Sequence, residues 1–393
     1  VRVNASSLSG VAAIVGIGAT EFSKNSGRTE IRLALEASLS ALADAGIEPE
    51  EVDGISTYAM DNNPEADVHR LLGGRALRFF SRIDYGGGAA CAPVMQAAMA
   101  VASGAADVVL CYRAMNERSW YRFGQAGGTA PSALYKSTHY SWYSPAGLLT
   151  PASQVAMTAR RYMIDFGATS EDFGRISVAA RDFAATNPAA FFHGRPITLE
   201  DHQNSRVIAD PLRLLDCCQE SDGAVALVVT SLERARRLGG RPAVIRAAAQ
   251  GSGPEQHLMT SYYRNSISEL PEMQLVADQM WSMSGLGPAD IQTAIVYDHF
   301  TPYVMPQLEA FGFCRRGEGK DFVRSGAHAR GGMLPINPNG GQLGEAYIHG
   351  MNGIAEAVRQ IRGTSVNQQP NVEHVLVTSG AGVPTSGLIL GRD

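Results

Sequence analysis

Two periodicities alternate along the chain: short continuous apolar runs, and longer stretches with apolar residues three and four apart. Val11 to Ile17 is a run of the first kind that closes on Gly16 and Gly18, which predicts a buried strand and a turn. Ile31, Leu35, Leu39 and Leu42 follow at helical spacing and predict a helix over 30–45 that ends at Ala45 and Gly46. Val52 to Tyr58 reads as the next strand. A triple-glycine turn at 86–88 then leads to an alanine-rich helix from Ala92 and a strand from Asp107 to Cys111. That helix has no polar face, so it has to be buried on all sides. Val1 to Gly10 is polar and is expected to fray.

Residues 113–205 break the rhythm with Trp120, Tyr121, Phe123, Tyr135, Tyr140, Trp142 and Tyr143, followed by helical spacing over Ser153–Asp165 and Ser170–Asn187. They read as an insertion folding over one face of the first half. Core character returns between Arg213 and Ser231, and a charged helical turn from Glu233 to Arg237 leads to a Gly-Gly boundary. Beyond it the first pattern repeats. Val244 opens a strand, and Glu272 to Met283 is a helix with Met273, Val276, Ala277 and Met280 inward. MSGLGPADIQTAIVY mirrors LADAGIEPEEVDGISTY, and the 340–390 region mirrors 86–112, with a strand at Val375–Thr378. The duplication predicts an α/β protein of two similar halves, 1–240 (insertion 113–205) and 241–393.

Composition narrows the function classes without choosing one. The 393 residues are 45% hydrophobic and 18% charged, with a net charge of −5, which gives no reason to expect nucleic acid or an anionic membrane as partner. Five cysteines without a CxxC pair or a His/Cys cluster suggest neither a disulfide framework nor a metal site. No stretch resembles a membrane span or a signal segment, so a cytoplasmic location is expected.

The stretch from Leu334 to Gly363 is the most informative. A polar glycine loop (Asn337, Asn339, Gly340, Gly341) feeds a helix with Met351, Ile354, Val358 and Ile361 at helical spacing. Gly350 and Gly353 bare one flank of that helix for close approach by another backbone. Such a loop can aim several N–H groups at a developing anion. Asn337-x-x-Gly340-Gly341 and the following glycines resemble the second half of the thiolase superfamily, where the run continues into a G-H-P motif. Here those three positions are Ala346, Tyr347 and Ile348. ADPLRLLDCCQESDGAVALVVTS and ARRYMIDFGATSEDF resemble the lipid-transfer and sterol carrier protein-x branch.

The resemblance implies a thiolase-like fold, with two mixed five-stranded sheets around central buried helices. It also locates the family's reacting residues. The nucleophilic cysteine falls on Gly87, with Cys91 one turn farther in. The H-D-x-F motif reads Tyr297-Asp298-His299-Phe300, and the final acid/base cysteine is Thr378, before Gly380 and Gly382. Both cysteines and both histidines of that chemistry are therefore absent, and tyrosines stand at the two histidine positions.

Without a nucleophile there is nothing to acylate, whereas cleavage of a carbon–carbon bond beside a thioester needs only a base, an acid and a hole for the enolate. Lys24, Lys136 and Lys320 all lie in polar stretches unsuited to a Schiff base, and His299 and His349 lack metal-ligand spacing. Tyr297 and Tyr347 are the expected base and acid, with backbone donors at Gly87 and Gly380. A free phenol is only about 0.1% ionised at pH 7, so a neighbour must lower its pKa; His349 and His299 are the candidates, with Asp298 beside them. The pattern resembles the steroid side-chain-cleaving aldolases of bacterial sterol catabolism. That resemblance implies a 17-hydroxy steroid with a three-carbon acyl-CoA side chain as substrate, and a 17-ketosteroid and propionyl-CoA as products. It also implies a homodimeric core, an OB-fold and zinc-ribbon partner chain, and no cofactor in this chain beyond the CoA of the substrate. A degenerate acyl transferase using Cys91 and a non-catalytic acyl-CoA or lipid carrier remain as alternatives.

Overall fold

A computed structural model describes residues 8–59, 61–84, 86–120, 122, 143–257, 259–381 and 385–393. Most of the aromatic segment between Trp120 and Tyr143, the first seven residues and Gly382 lie outside the described residues. The strands are β1 (Ala12–Ala19), β2 (Gly54–Tyr58), β3 (Phe79–Ile83), β4 (Val108–Asn116), a small ribbon of β5 (Val207–Ala209) and β6 (Leu212–Arg213), then β7 (Asp222–Ser231), β8 (Ala243–Gly251), β9 (Thr293–Ile295), β10 (His374–Ser379) and β11 (Thr385–Gly391). Nine of them form one sheet in the order β3-β2-β4-β7-β1-β8-β11-β10-β9. The outer neighbours β2/β3, β2/β4 and β9/β10 are parallel, and the inner pairs are antiparallel.

Burial explains why the strands read as continuous apolar runs. Nine of the ten residues of β7 are buried, because helices cover both faces of the sheet. One face holds the two central helices, Ala92–Ser103 and Met351–Arg362, in a single core with Val109, Cys111, Leu227, Ile245, Val377 and Leu388. The Glu30–Ala45 helix covers the other face of the first half, and the Pro271–Ser284 helix covers that of the second. The mirrored sequence stretches fold alike: each outer helix ends on a left-handed glycine, Gly46 at φ 64° and Gly285 at φ 71°. A short turn at Pro49–Glu51 or Pro288–Asp290 then leads to the next strand.

Three expectations need correction. The second half contributes four strands where five were expected. The fifth position is taken by Pro335–Asn337, which pairs with β9 at the single bridge Ala294–Ile336. Prolines at 335 and 338 lack the N–H groups a longer ladder would use. The insertion begins later than residue 113, since β4 runs to Asn116 opposite Asp222. Its helices, Pro151–Phe166 and Ser170–Thr186, pack on the second half, with Val155, Tyr162, Phe173 and Ile176 in one core with Met273, Val276 and Val304. Finally, Gly350 and Gly353 admit side chains and no backbone. A Cβ on Gly353 would lie 2.6 Å from the Ile295 Cγ2, and one on Gly350 would lie 3.0 Å from the Tyr297 ring.

Backbone approach does occur at β1, where Gly18 meets the Glu30–Ala45 helix. A Cβ there would lie 2.2 Å from the Ala37 carbonyl oxygen, which cannot retreat without breaking its helix. Gly18→Ala is expected to destabilise the protein by about 1–3 kcal/mol, measured as a lower urea midpoint. An unchanged midpoint would contradict this packing.

Candidate active site

The C-terminal end of β9 delivers Tyr297 into the space between the two central helices. Its backbone is held on every side. The Asn337 side chain pairs with Val296 like one rung of a ladder, through Val296 N to Oδ1 at 2.8 Å and Nδ2 to Val296 O at 2.9 Å. The Tyr297 N–H donates to Thr378 Oγ1 at 3.0 Å, and Gln307 Nε2 donates to the Tyr297 carbonyl at 2.8 Å. Thr378 in turn donates to Gln307 Oε1 at 2.7 Å. Thr378, which aligned with an acid/base cysteine, is thus spent on positioning Tyr297.

Tyr347 arrives from the glycine loop. Its N–H donates to Ser221 Oγ at 3.1 Å, and its backbone bridges to Glu220. The two phenol oxygens lie 3.4 Å apart. At Gly87, a Cβ would sit 1.6 Å from the Tyr297 hydroxyl oxygen. The tyrosine hydroxyl therefore occupies the volume that a side chain at 87 would fill.

Serines that carried no sequence signal lace this turn to the second half. Ser379 Oγ donates to the Gly87 carbonyl at 2.6 Å and accepts from Ala90 N at 3.0 Å. Ser386 Oγ accepts from Cys91 N at 3.2 Å and donates to the Gly88 carbonyl at 2.9 Å. Gly380, at φ 79°, follows Ser379 directly, so the two glycines expected as backbone donors lie on turns joined by one serine.

The supporting residues take other places. Asp298 faces the glycine loop, where Oδ1 accepts from Gln342 N at 2.8 Å and a Cβ on Gly341 would stand 2.0 Å from Oδ2. Burial raises its carboxyl to about 6, although the N–H groups around it pull the other way. His299 lies parallel to the Tyr303 ring at 5.3 Å, with its centroid 4.8 Å from that of Tyr297, and burial lowers it to about 3. His349, at φ 47°, accepts at Nδ1 from Arg113 Nη2 at 2.7 Å and stands edge-on to Tyr347 at 4.9 Å. Burial, and next the Arg113 charge, push it well below the usual imidazole range.

Burial thus disfavours the charged form of both histidines, which weighs against either acting as a cation that acidifies a phenol. Burial pushes both tyrosines well above the ordinary phenol value.

Sequence reasoning missed Arg113, whose strand was expected to end at Cys111. Its fully buried guanidinium also donates to the Tyr58 and Ala59 carbonyls at 3.0 and 2.8 Å. Glu345 was missed as well. Burial raises it to about 7 while the Asn339 and Asn352 amides donate to it, fixing the loop ahead of Tyr347. No group of three His, Cys, Asp or Glu with metal-binding geometry occurs among the described residues.

A family model described as "Thiolase C-terminal domain-like" matches residues 256–391. A "17-hydroxy-3-oxo-4-pregnene-20-carboxyl-CoA lyase" from Mycobacterium tuberculosis is 66% identical over 385 residues, 98% of this chain and 100% of its own length. A "Steroid side-chain-cleaving aldolase" from Thermomonospora curvata is 64% identical over 388 residues, 98% of this chain and 99% of its own. The solved structure of an "Ltp2-ChsH2(DUF35) aldolase" superposes with a TM-score of 0.94 at 64% identity, over 98% of this chain and 99% of that one. Human mitochondrial 3-ketoacyl-CoA thiolase shares the fold at 16% identity, with a TM-score of 0.69 over 97% of this chain and 98% of that one.

Cys91 is fully buried at the start of the Ala92–Ser103 helix, and burial pushes its thiol far above the usual range. A thiol so placed is inert. Cys91→Ala is expected to keep near wild-type turnover with at most a small stability loss, read from steady-state kinetics and a thermal melt. A fall of roughly a hundredfold in a folded variant would restore the acyl-transfer reading.

Proposed function

Because this chain belongs to the thiolase superfamily, among its steroid side-chain-cleaving aldolases, we propose that the Tyr297–Tyr347 hydroxyl pair carries its retro-aldol chemistry. The enzyme is a carbon–carbon lyase acting on a CoA thioester. Its substrate is a β-hydroxyacyl-CoA, a 17-hydroxy steroid with a three-carbon acyl-CoA side chain, and its products are the 17-ketosteroid and propionyl-CoA. As the hydroxyl loses its proton, the oxygen's electrons form the new ketone. The electrons of the breaking carbon–carbon bond pass into the thioester as an enolate, which is then protonated at its α-carbon.

The observation that supports this reading most directly is the 3.4 Å separation of two phenol hydroxyls, Tyr297 buried and Tyr347 half-buried. A neutral phenol accepts a proton most readily while passing on its own, and the second hydroxyl is there to receive it. The proton of the substrate hydroxyl thus travels through one tyrosine and then the other to the α-carbon, with no charge left on the protein. The N–H groups of Gly87 and Gly380 are the proposed enolate donors, and each such donor is typically worth roughly 3–4 kcal/mol. The acyl-transfer alternative lacks a thiolate, since the nucleophile position is Gly87 and Cys91 is buried.

The solved relative named as an aldolase with a second, DUF35 component supports a partner chain here too; the family resemblance gives that partner an OB fold and zinc ribbon and gives this chain a homodimeric core. The edge strand β3 pairs only with β2 among the described residues, and its Phe80 is 67% exposed, which suits pairing with a second copy. No helix among the described residues is long and apolar enough to cross a membrane. All five cysteines are free, and a cytoplasmic site of action fits that usage.

Phenylalanine keeps ring volume and removes only the hydroxyl. Tyr297→Phe and Tyr347→Phe are each expected to lower kcat at least about a hundredfold on a β-hydroxyacyl-CoA, with KM and the melting temperature little changed. Wild-type rates in both variants would end the retro-aldol assignment of the pair.

Light scattering on the lone chain is expected to show a dimer, and Phe80→Arg a monomer. Full activity of the lone dimer would remove the need for a partner protein.

A further inference from the structure

Glu345 lies two residues before Tyr347 and is only 2% exposed. Three side-chain amides converge on its carboxyl. Oε2 accepts from Asn339 Nδ2 and from Asn352 Nδ2, the latter at 2.8 Å, and Oε1 accepts from Asn187 Nδ2 at 3.3 Å. Asn339 belongs to the glycine loop, Asn352 to the first turn of the Met351–Arg362 helix, and Asn187 to the end of the Ser170–Thr186 helix. The carboxyl thus pins both ends of the loop that carries Tyr347 and ties that loop to the insertion.

Independent contacts fix which end of each amide faces the carboxyl. Asn339 Oδ1 accepts from Gly341 N at 3.1 Å, and Asn187 Oδ1 accepts from Ala189 N at 3.1 Å. Asn352 Nδ2 also donates to the Ala346 carbonyl at 3.1 Å. Flipping any of the three would break its second bond. All three therefore present N–H groups, and none offers an acceptor to a carboxyl proton. The arrangement suits a carboxylate.

The Asn352 contact leads on to Tyr347. The Ala346 carbonyl shares its peptide with the Tyr347 N–H, which donates to Ser221 Oγ at 3.1 Å. That peptide is gripped at its oxygen by Asn352 and at its nitrogen by Ser221. It sets the origin of a side chain whose hydroxyl lies 3.4 Å from that of Tyr297. Resting on the two-tyrosine relay, we propose that Glu345 is a positioning residue of the reaction: as a carboxylate it orients Asn352, which holds the Ala346–Tyr347 peptide and so aims the Tyr347 hydroxyl.

The geometry asks for charge where burial resists it. Burial raises Glu345 to about 7; Arg359, on the same helix as Asn352, opposes this together with the amides, and Glu356 adds to it. Glu21, Phe22, Phe191 and Arg359 help to line a cavity of about 430 Å³ that reaches Glu345, which gives a proton a route to it. The clasp is complete above about pH 7 and is lost as pH falls through that value.

The test measures kcat and KM on a β-hydroxyacyl-CoA across pH for wild type, Glu345→Gln, Asn352→Ala and Tyr347→Phe. Wild-type kcat is expected to decline as pH drops through about 7. Glu345→Gln keeps the volume but turns its own amide N–H against those around it. It is expected to lower kcat roughly ten- to a hundredfold at unchanged KM and to lose that acid limb. A limb belonging to Asp298, near 6, would survive the substitution. A wild-type kcat in Glu345→Gln, or a lowered kcat that keeps the limb near 7, would overturn the proposal. Should that variant fail to fold, Asn352→Ala decides, since it spares the carboxylate and cuts its link to the Ala346 carbonyl; a wild-type kcat there would overturn it. Inactive Tyr347→Phe beside a normal Glu345→Gln would sink Glu345 alone, whereas active Tyr347→Phe would sink the relay itself.

Discussion

The site depends on one exclusion of volume. The Tyr297 hydroxyl and a side chain at position 87 cannot coexist, because the separation between them would be 1.6 Å. The surrounding hydrogen bonds maintain the approach that makes this so. From the second half, Asn337 holds the Val296 backbone, and Gln307 and Thr378 hold that of Tyr297. Ser379 and Ser386 hold the Gly87–Cys91 backbone from the same half. The first half brings the bare turn, and the second brings both phenols.

Electrostatics adds a second constraint. Burial disfavours charge on the rings gathered there: it raises the two phenols and lowers the two imidazoles. Desolvated charge is costly, so in such surroundings a site favours protonation states that avoid it. Chemistry that shifts protons along a chain of hydroxyls suits this environment better than chemistry requiring a standing phenolate. Arg113 is the cation nearest this group, and it is committed to two carbonyls and to His349 Nδ1, which fixes that ring as an acceptor at that nitrogen.

Much of the fold was legible because it is written in local rhythm. The helix over 30–45 and the helix from Ala92 appear where the spacing of apolar residues placed them, and the matching glycine-ended helices repeat as the sequence repeats. What stayed hidden depends on contacts far apart in the chain. The strands β3 and β11 were not anticipated, β3 because Phe79–Ile83 carries Ser81 and Arg82 in its middle. Arg113 was placed at the start of the insertion, since nothing local announces a partner 236 residues away at His349. In the site, the family frame picked out Tyr297, Tyr347 and Gly87, which the structure brings together. It could not show that Asp298 faces the glycine loop or that charge is disfavoured on both histidines, because burial, which decides both, is a property of the assembled molecule.

The place of β1 in the sheet bears on how the chain is made. It lies near the start of the chain, yet its two neighbours are β7, where Ala12 faces Ser231, and β8, where Ala13 faces Val244. At synthesis rates of about 5–20 residues per second, β1 has no partner for roughly 10–45 seconds after it is made. Throughout that time a naked apolar strand trails from the ribosome, able to pair with the wrong edge. The first half cannot close its sheet until β7 has been made, so β1 is enclosed only when strands synthesised some two hundred residues later arrive.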